Sequence, residues 1–239
     1  MYRANRDGTG VTQLTRPPIY PKNLRWSPDD MQILFHDFSP AHQDAIYVVS
    51  SMGGTPRRLL PDDTQPENDP NWSPDGRKVI FAAYGHNSAG PTARPQVRIL
   101  DLDTREITTL PERPGGFWSP RWSPDGRYIA GLSEGSTDLV LFDLQTKQWT
   151  ALFHGALVGF PTWSHDGRLI YFHGMLPNDD MRVYRLPLAG GKAQSITDER
   201  DFPWTGWYSA WFGLDPDDNP LLLRDEGTDE IYALTLYRK

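Results

Sequence analysis

Cysteine is absent from the 239 residues, so neither a disulfide framework nor a thiolate metal site can form, and the compartment is left open between periplasm and cytoplasm. No apolar run is long enough to cross a membrane as a helix, and no charged-then-apolar leader opens the chain, which is therefore expected to be soluble. Basic charge is also short. Lys and Arg number 24 against 31 Asp and Glu, a net charge of −7, and no basic stripe interleaves with aromatics, which argues against nucleic acid as a partner. No stretch spaces its apolar residues at helical intervals. Stability must then come from packing, for which nine tryptophans are the evident material.

What is present is a repeated phrase: LRWSPDD at 24–30, NWSPDGR at 71–77, RWSPDGR at 121–127 and TWSHDGR at 162–168. Its tryptophans, Trp26, Trp72, Trp122 and Trp163, are 46, 50 and 41 residues apart. Such spacing marks an array of equivalent supersecondary units. Within each copy Pro presets φ for the first turn position, Asp tolerates the second and Gly takes the left-handed one, so Asp29, Asp75, Asp125 and Asp166 head tight hairpins. A third apolar run follows in every unit (Ile46–Ser50, Val97–Leu102, Leu139–Leu144, Val183–Leu188, Ile231–Leu236), then a short fourth such as Arg57–Leu60. Four short antiparallel strands per unit make a blade, and the fold class is an all-β propeller. The four repeat tryptophans are expected to wedge between neighbouring blades as core.

An eroded fifth copy stands at LDPDDNPLLL, with Leu214 in the tryptophan position. At the other end, Val11–Thr15 reads as a fourth strand lacking its first and second. Five blades follow, at about 17–60, 61–110, 111–153, 154–197 and 198–239, the last completed by 11–15. This ring would be one domain, closed by its terminal strands and monomeric. A competing pattern is that Met1–Asn5 resembles a third strand, as in a piece cut from a longer array.

The phrase WSPDGR, followed by text of the IYVVSSMGGTPRRL type, resembles the propeller repeat of the TolB carboxy-terminal domain and of prolyl oligopeptidase-type enzymes. The closing stretches Trp211–Asp218, Pro220–Asp225 and Glu230–Leu234 are similar to the endings of propellers attached to bacterial winged-helix regulators and serine/threonine kinases, notably from acidobacteria. That second resemblance implies a sensory or protein-interaction module whose effector domain lies outside the chain.

Signals of catalysis are weaker. Gly131-Leu132-Ser133-Glu134-Gly135 matches the G-x-S-x-G nucleophile elbow, but that motif needs a strand, a turn and a helix, and strand text surrounds it here. Asp215, Asp217, Asn219 and Glu226 imitate a calcium loop, with Pro220 where the turn glycine belongs, so an eroded hairpin is preferred. Asp62, Asp63, Glu67 and Asp69 form an acidic cluster among prolines, read as a solvated loop. His36 and His173 hold matching repeat positions, two blades apart, and His165 replaces a turn proline. His42, His86 and His154 sit in loop text without an evident carboxylate or serine partner. No acid–base pair or triad stands out, and no catalytic residue, metal ligand or cofactor is assigned.

In a propeller the first strand of each blade lines the central channel, which places Arg25, Asn71, Arg121, Thr162 and, by extension, Gly213 around its mouth. Two arginines there suit an acidic group such as a peptide carboxylate or a phosphate. Trp118, Phe160 and Trp207 lie on adjacent connections with other aromatics, either contacting a ligand or capping the ring. Three functions follow: a non-catalytic module binding a protein, peptide or small ligand within a larger regulator, which predicts sequence upstream of Met1; a free-standing TolB-like envelope scaffold; or a metal-dependent propeller hydrolase or lyase. The last predicts a bound metal and a dependence on Glu67 and Asp69.

Overall fold

The computed structural model describes residues 1–5, 7–38, 44–63, 65–84, 95–177, 179–197 and 212–222. Their strands fall into four four-stranded antiparallel sheets and two half-sheets. Blade A comprises β3 (Pro21–Trp26), β4 (Gln32–Asp37), β5 (Ala45–Ser50) and β6 (Arg57–Arg58). Blade B comprises β7 (Glu67–Trp72), β8 (Lys78–Ala83), β9 (Gln96–Asp101) and β10 (Ile107–Thr109). Blade C holds β11 (Trp118–Trp122), β12 (Tyr128–Leu132), β13 (Asp138–Asp143) and β14 (Trp149–His154); blade D holds β15 (Leu157–Trp163), β16 (Leu169–Met175), β17 (Arg182–Pro187) and β18 (Gln194–Ser195). Strands pair in sequence order within every blade. Among the described residues there is no helix, and hence none long and apolar enough to cross a membrane.

The half-sheets stand at the two ends. β1 (Tyr2–Arg3) pairs with β2 (Thr12–Gln13), so 1–5 is the third-strand pattern that its sequence suggested. β19 (Phe212–Leu214) pairs with β20 (Pro220–Leu222), with Leu214 opposite Pro220 across the expected eroded hairpin. A pairing of residues 11–15 with Ile231–Leu236 lies outside the described residues.

The repeated phrase closes each hairpin by one hydrogen-bond scheme. Ser27, Ser73, Ser123 and Ser164 donate their hydroxyls to the Asp two residues on at 2.5, 2.6, 2.6 and 2.7 Å. Each serine oxygen also accepts the N–H five residues on, at 2.8–2.9 Å. Those turn amides would otherwise be orphaned beside the core. In the eroded copy Asp215 stands in the serine's position, where Pro220 offers no N–H five residues on, and its Oδ1 accepts instead from the amides of Asp217 and Asn219 at 2.9 Å, while Asp218 takes the left-handed position with φ 61°.

The core lies between blades. Second strands send alternate residues to opposite neighbours, which is why they read as unbroken apolar runs. Val79 and Phe81 of β8 pack towards blade A with Leu34, Ile46 and Trp72, whereas Ile80 packs towards blade C with Ile129 and Phe142. Ile170 and Phe172 of β16 join blade C, and Tyr171 faces β19–β20 with Val183, Leu214 and Leu222. Ile33 and Phe35 of β4 likewise face the amino-terminal half-sheet through Leu14. Each half-sheet therefore packs against the second strand of an outer blade.

The tryptophan expectation holds in part. Trp72 and Trp163 are buried, and their indole N–H groups donate to the carbonyls of Arg25 and Arg121 in the preceding blade, each at 3.1 Å. Trp122 is half-buried and donates instead to Gly126 O, while Asn71 Oδ1 takes its backbone N–H at 2.9 Å. Trp26 is 47% exposed and is not core.

Candidate functional site

The first strands of blades A to D carry the same irregularity. In each, two residues face one on the second strand: 23 and 24 opposite 35, 69 and 70 opposite 81, 119 and 120 opposite 131, and 160 and 161 opposite 172. The first residue of each bulge is left-handed, with φ 52° at Asn23, 49° at Asp69, 53° at Ser119 and 50° at Phe160. Bulges re-aim side chains, and here they form a ring around the channel. A left-handed φ is tolerable for Asn and Asp but strained for a bulky Phe, so position 160 is held by its surroundings.

Asp69 sits at the centre of the charged part. It is 4% exposed, and its Oδ1 accepts from Arg121 Nη2 at 2.7 Å, with Arg25 Nη2 3.7 Å away. Burial alone would raise this carboxyl; Arg121, Arg25 and the Ser119 hydroxyl outweigh it and hold it below the usual range. Arg25 is in the opposite condition. Removal from water and the like charge of Arg121 press its guanidinium down to about 9, against the pull of Asp69. Both arginines also brace the strand, Arg25 Nη1 donating to Leu24 O and Arg121 Nη1 to Pro120 O, each at 2.8 Å. Two cations and one anion leave one positive charge over.

Two cavities meet at this cluster. One of ≈ 230 Å³ is lined by Arg25, Asn71, Arg121, Thr162 and Gly213 together with Phe160. The other, ≈ 300 Å³, shares Arg121 and Phe160 and adds Asp69, Trp118, Leu132 and His173. The structure thus brings together seven of the eight residues singled out at or beside the channel mouth. Trp207 lies outside the described residues. A larger cavity of ≈ 710 Å³ runs between the turns of blades A and B and is lined by Arg57, Arg77 and Arg105 and by Asp29, Asp75 and Asp103, equal numbers of either charge.

The acidic cluster corrects the sequence reading. Glu67 and Asp69 belong to strand β7 and are 0% and 4% exposed, so they are not a solvated loop; Asp62 alone of the four is freely exposed. The signal available was phase: Asp69 precedes Trp72 by three residues, as Asn23, Ser119 and Phe160 precede their tryptophans. His154 is also corrected. It ends β14 and its Nδ1 meets Asp138 Oδ1 at 2.8 Å, a cross-strand partner far away in sequence. His165 does more than replace a proline, since its backbone N–H and Nδ1 both meet Asp218 Oδ1, at 3.0 and 2.6 Å, linking blade D to the β19–β20 turn.

Ser133 lies in the β12–β13 turn, where its oxygen accepts the Asp138 N–H at 3.0 Å. The first glycine of that apparent elbow has a packing cause: a Cβ on Gly131 would come within 2.5 Å of the Phe117 ring. His36 is buried with Nε2 3.1 Å from Asp44, and desolvation lowers its pKa against that carboxylate's pull. His42 and His86 lie outside the described residues. Among the described residues no three His, Cys, Asp or Glu side chains gather as a metal-binding group.

Comparison with known proteins agrees with the fold. The family model "TolB beta propeller domain" matches residues 49–222. The "Uncharacterized peptidase YuxL" of Bacillus subtilis (strain 168) is 27% identical over 158 residues, 65% of this chain and 22% of that protein. TolB from Acinetobacter baumannii has a TM-score of 0.74 at 21% identity, over 91% of this chain and 51% of its own. Putative TolB from Agrobacterium tumefaciens follows with a TM-score of 0.68 at 22% identity, over 81% and 72%. An oligogalacturonate lyase in complex with manganese has a TM-score of 0.58 at 16% identity, over 79% and 54%. The chain therefore spans 22% of the curated relative and 51% of the first TolB structure, and the structural likenesses concern the fold.

Proposed function

The chain belongs to the TolB β-propeller domain family, and on that footing we propose that it is a non-catalytic binding module that holds an acidic group of a protein, peptide or small ligand in its channel. The observation that carries this is the Arg25–Asp69–Arg121 cluster. Among the described residues it sets one positive charge without a partner anion among polar groups beside a ≈ 230 Å³ cavity, and a partly desolvated cation gains from an anion more than a solvated one does. The module works as the interaction part of a larger bacterial regulator. A TolB-like scaffold role rests on the same surface with a protein as the occupant.

The ring of this proposal has five blades, β19–β20 and β1–β2 contributing to the last one. Two observations support it: each half-sheet packs against the second strand of an outer blade, and Gly213 of β19 lines the same cavity as Arg25 of β3.

The test is calorimetric titration with acetate, at low and high salt, of the wild-type protein and of Arg25→Gln. The expected result is salt-sensitive binding that Arg25→Gln weakens at least tenfold. Equal binding by the two proteins would place anion recognition elsewhere.

A further inference from the structure

Arg121 and Phe160 line both cavities, and the two cavities differ in character. The smaller adds Arg25, Asn71 and Thr162 beside Trp122 and Trp163; the larger is mostly apolar, with Trp118, Leu132, Leu157, Val158 and Met181 beside polar residues that include Asp69 and His173. Resting on the anion-binding reading above, we propose that the ligand is a monocarboxylate bearing an apolar group, its carboxylate held by Arg121 and Arg25 and its apolar group lying in the ≈ 300 Å³ cavity. The last residue of a peptide and a free aryl- or alkyl-carboxylic acid share that chemistry.

Charge favours a monoanion. Asp69 already takes one of the two arginine charges, so a dianion such as phosphate would leave negative charge uncompensated next to a buried carboxylate. Donor supply points to the same place. Arg25 commits Nη1 to its own strand, and its Nη2 stands at 3.7 Å from Asp69, beyond hydrogen-bond distance, so among the described residues most of its five donors have no acceptor. Asn71, which lines the same cavity, spends its side-chain oxygen on the Trp122 amide. On the other side of Arg121 the wall is mostly apolar, with Asn23, Asp69, Ser119, Ser136 and His173 as its polar members, and ≈ 300 Å³ is at the lower end of the roughly 300–1,000 Å³ typical of ligand cavities, suited to one side chain and not to a long chain. A ligand straddling Arg121 thus satisfies both halves, and Phe160, shared by the two cavities, lies where carboxylate and apolar group join.

The test compares N-acetylphenylalanine, its primary amide, acetate and inorganic phosphate by calorimetry on the intact chain. N-acetylphenylalanine is expected to bind at least tenfold tighter than each of the others. Arg25→Gln should reduce the acid to the affinity of the amide. Leu157→Ala, which trims the wall of the larger cavity without adding charge, should weaken the acid more than it weakens acetate. If acetate binds in an Arg25-dependent way but N-acetylphenylalanine binds no tighter, the apolar part is overturned while the anion site stands. Equal binding of acid and amide, or tightest binding by phosphate, also overturns it. No binding by any of the four removes both. A heptapeptide ending in phenylalanine, set against 3-phenylpropionate, then tells a peptide terminus from a free acid by whichever binds more tightly.

Discussion

Asp69 Oδ1 and Arg121 Nη2 meet at 2.7 Å across the boundary between blades B and C, with side chains only 6% and 7% exposed. This contact joins two first strands at the point where each is bulged, and it keeps Arg25 and Arg121 from facing one another as bare like charges. Asp69→Asn removes the anion and leaves both cations in place, so a loss of about 3–5 kcal/mol is expected in urea unfolding at pH 7. Arg25→Gln, which removes the looser partner at 3.7 Å, is expected to change stability by less than about 1 kcal/mol.

The repeat tryptophans separate by burial. Trp72→Ala and Trp163→Ala each empty an interblade site and lose an indole hydrogen bond to the preceding blade, costing about 3–5 kcal/mol. Trp26→Ala, on a residue 47% exposed, is expected to cost less than about 1 kcal/mol. Chemical denaturation of the three variants checks the order; equal losses would mean that Trp26 is packed as the others are.

Glu67 supplies a pH dependence. It is 0% exposed, its Oε1 has no hydrogen-bond partner among the described residues, and its Oε2 accepts the Ile46 N–H at a long 3.3 Å. Burial pushes its carboxyl up to about 7, with Asp63 adding to the rise and Ile46, Arg58 and Arg98 opposing it. Because the folded state holds the proton more tightly, this stabilisation is complete below about pH 4.5, falls as pH rises through 7 and is then lost, on the order of 3 kcal/mol in all. Glu67→Gln should flatten the stability profile over that interval and stabilise the protein above pH 7. An unchanged slope in the variant would assign the pH dependence to another group.

Blade architecture was legible because it rests on local chemistry. The Ser-Pro-Asp-Gly turn needs its own serine, aspartate and left-handed residue, all within six positions, and the second strands announce two-sided burial as runs such as Val79-Ile80-Phe81. Repeat phase then carried Arg25, Asn71, Arg121 and Thr162 to one cavity, since equivalent residues in a ring share a radius. Asp69 was missed because its meaning depends on Arg121, 52 residues away in the next blade, and locally it looks like one acid among four. The His165–Asp218 link, 53 residues apart, was hidden for the same reason.

The most direct measurement is the ¹H–¹⁵N spectrum of the arginine Nε–H groups during titration with acetate. The account predicts that the resonances of Arg25 and Arg121 shift together and saturate, while those of Arg57, Arg77 and Arg105 in the groove between the turns of blades A and B stay in place. Shifts confined to those three groove arginines, with Arg25 and Arg121 unmoved, would contradict a channel site.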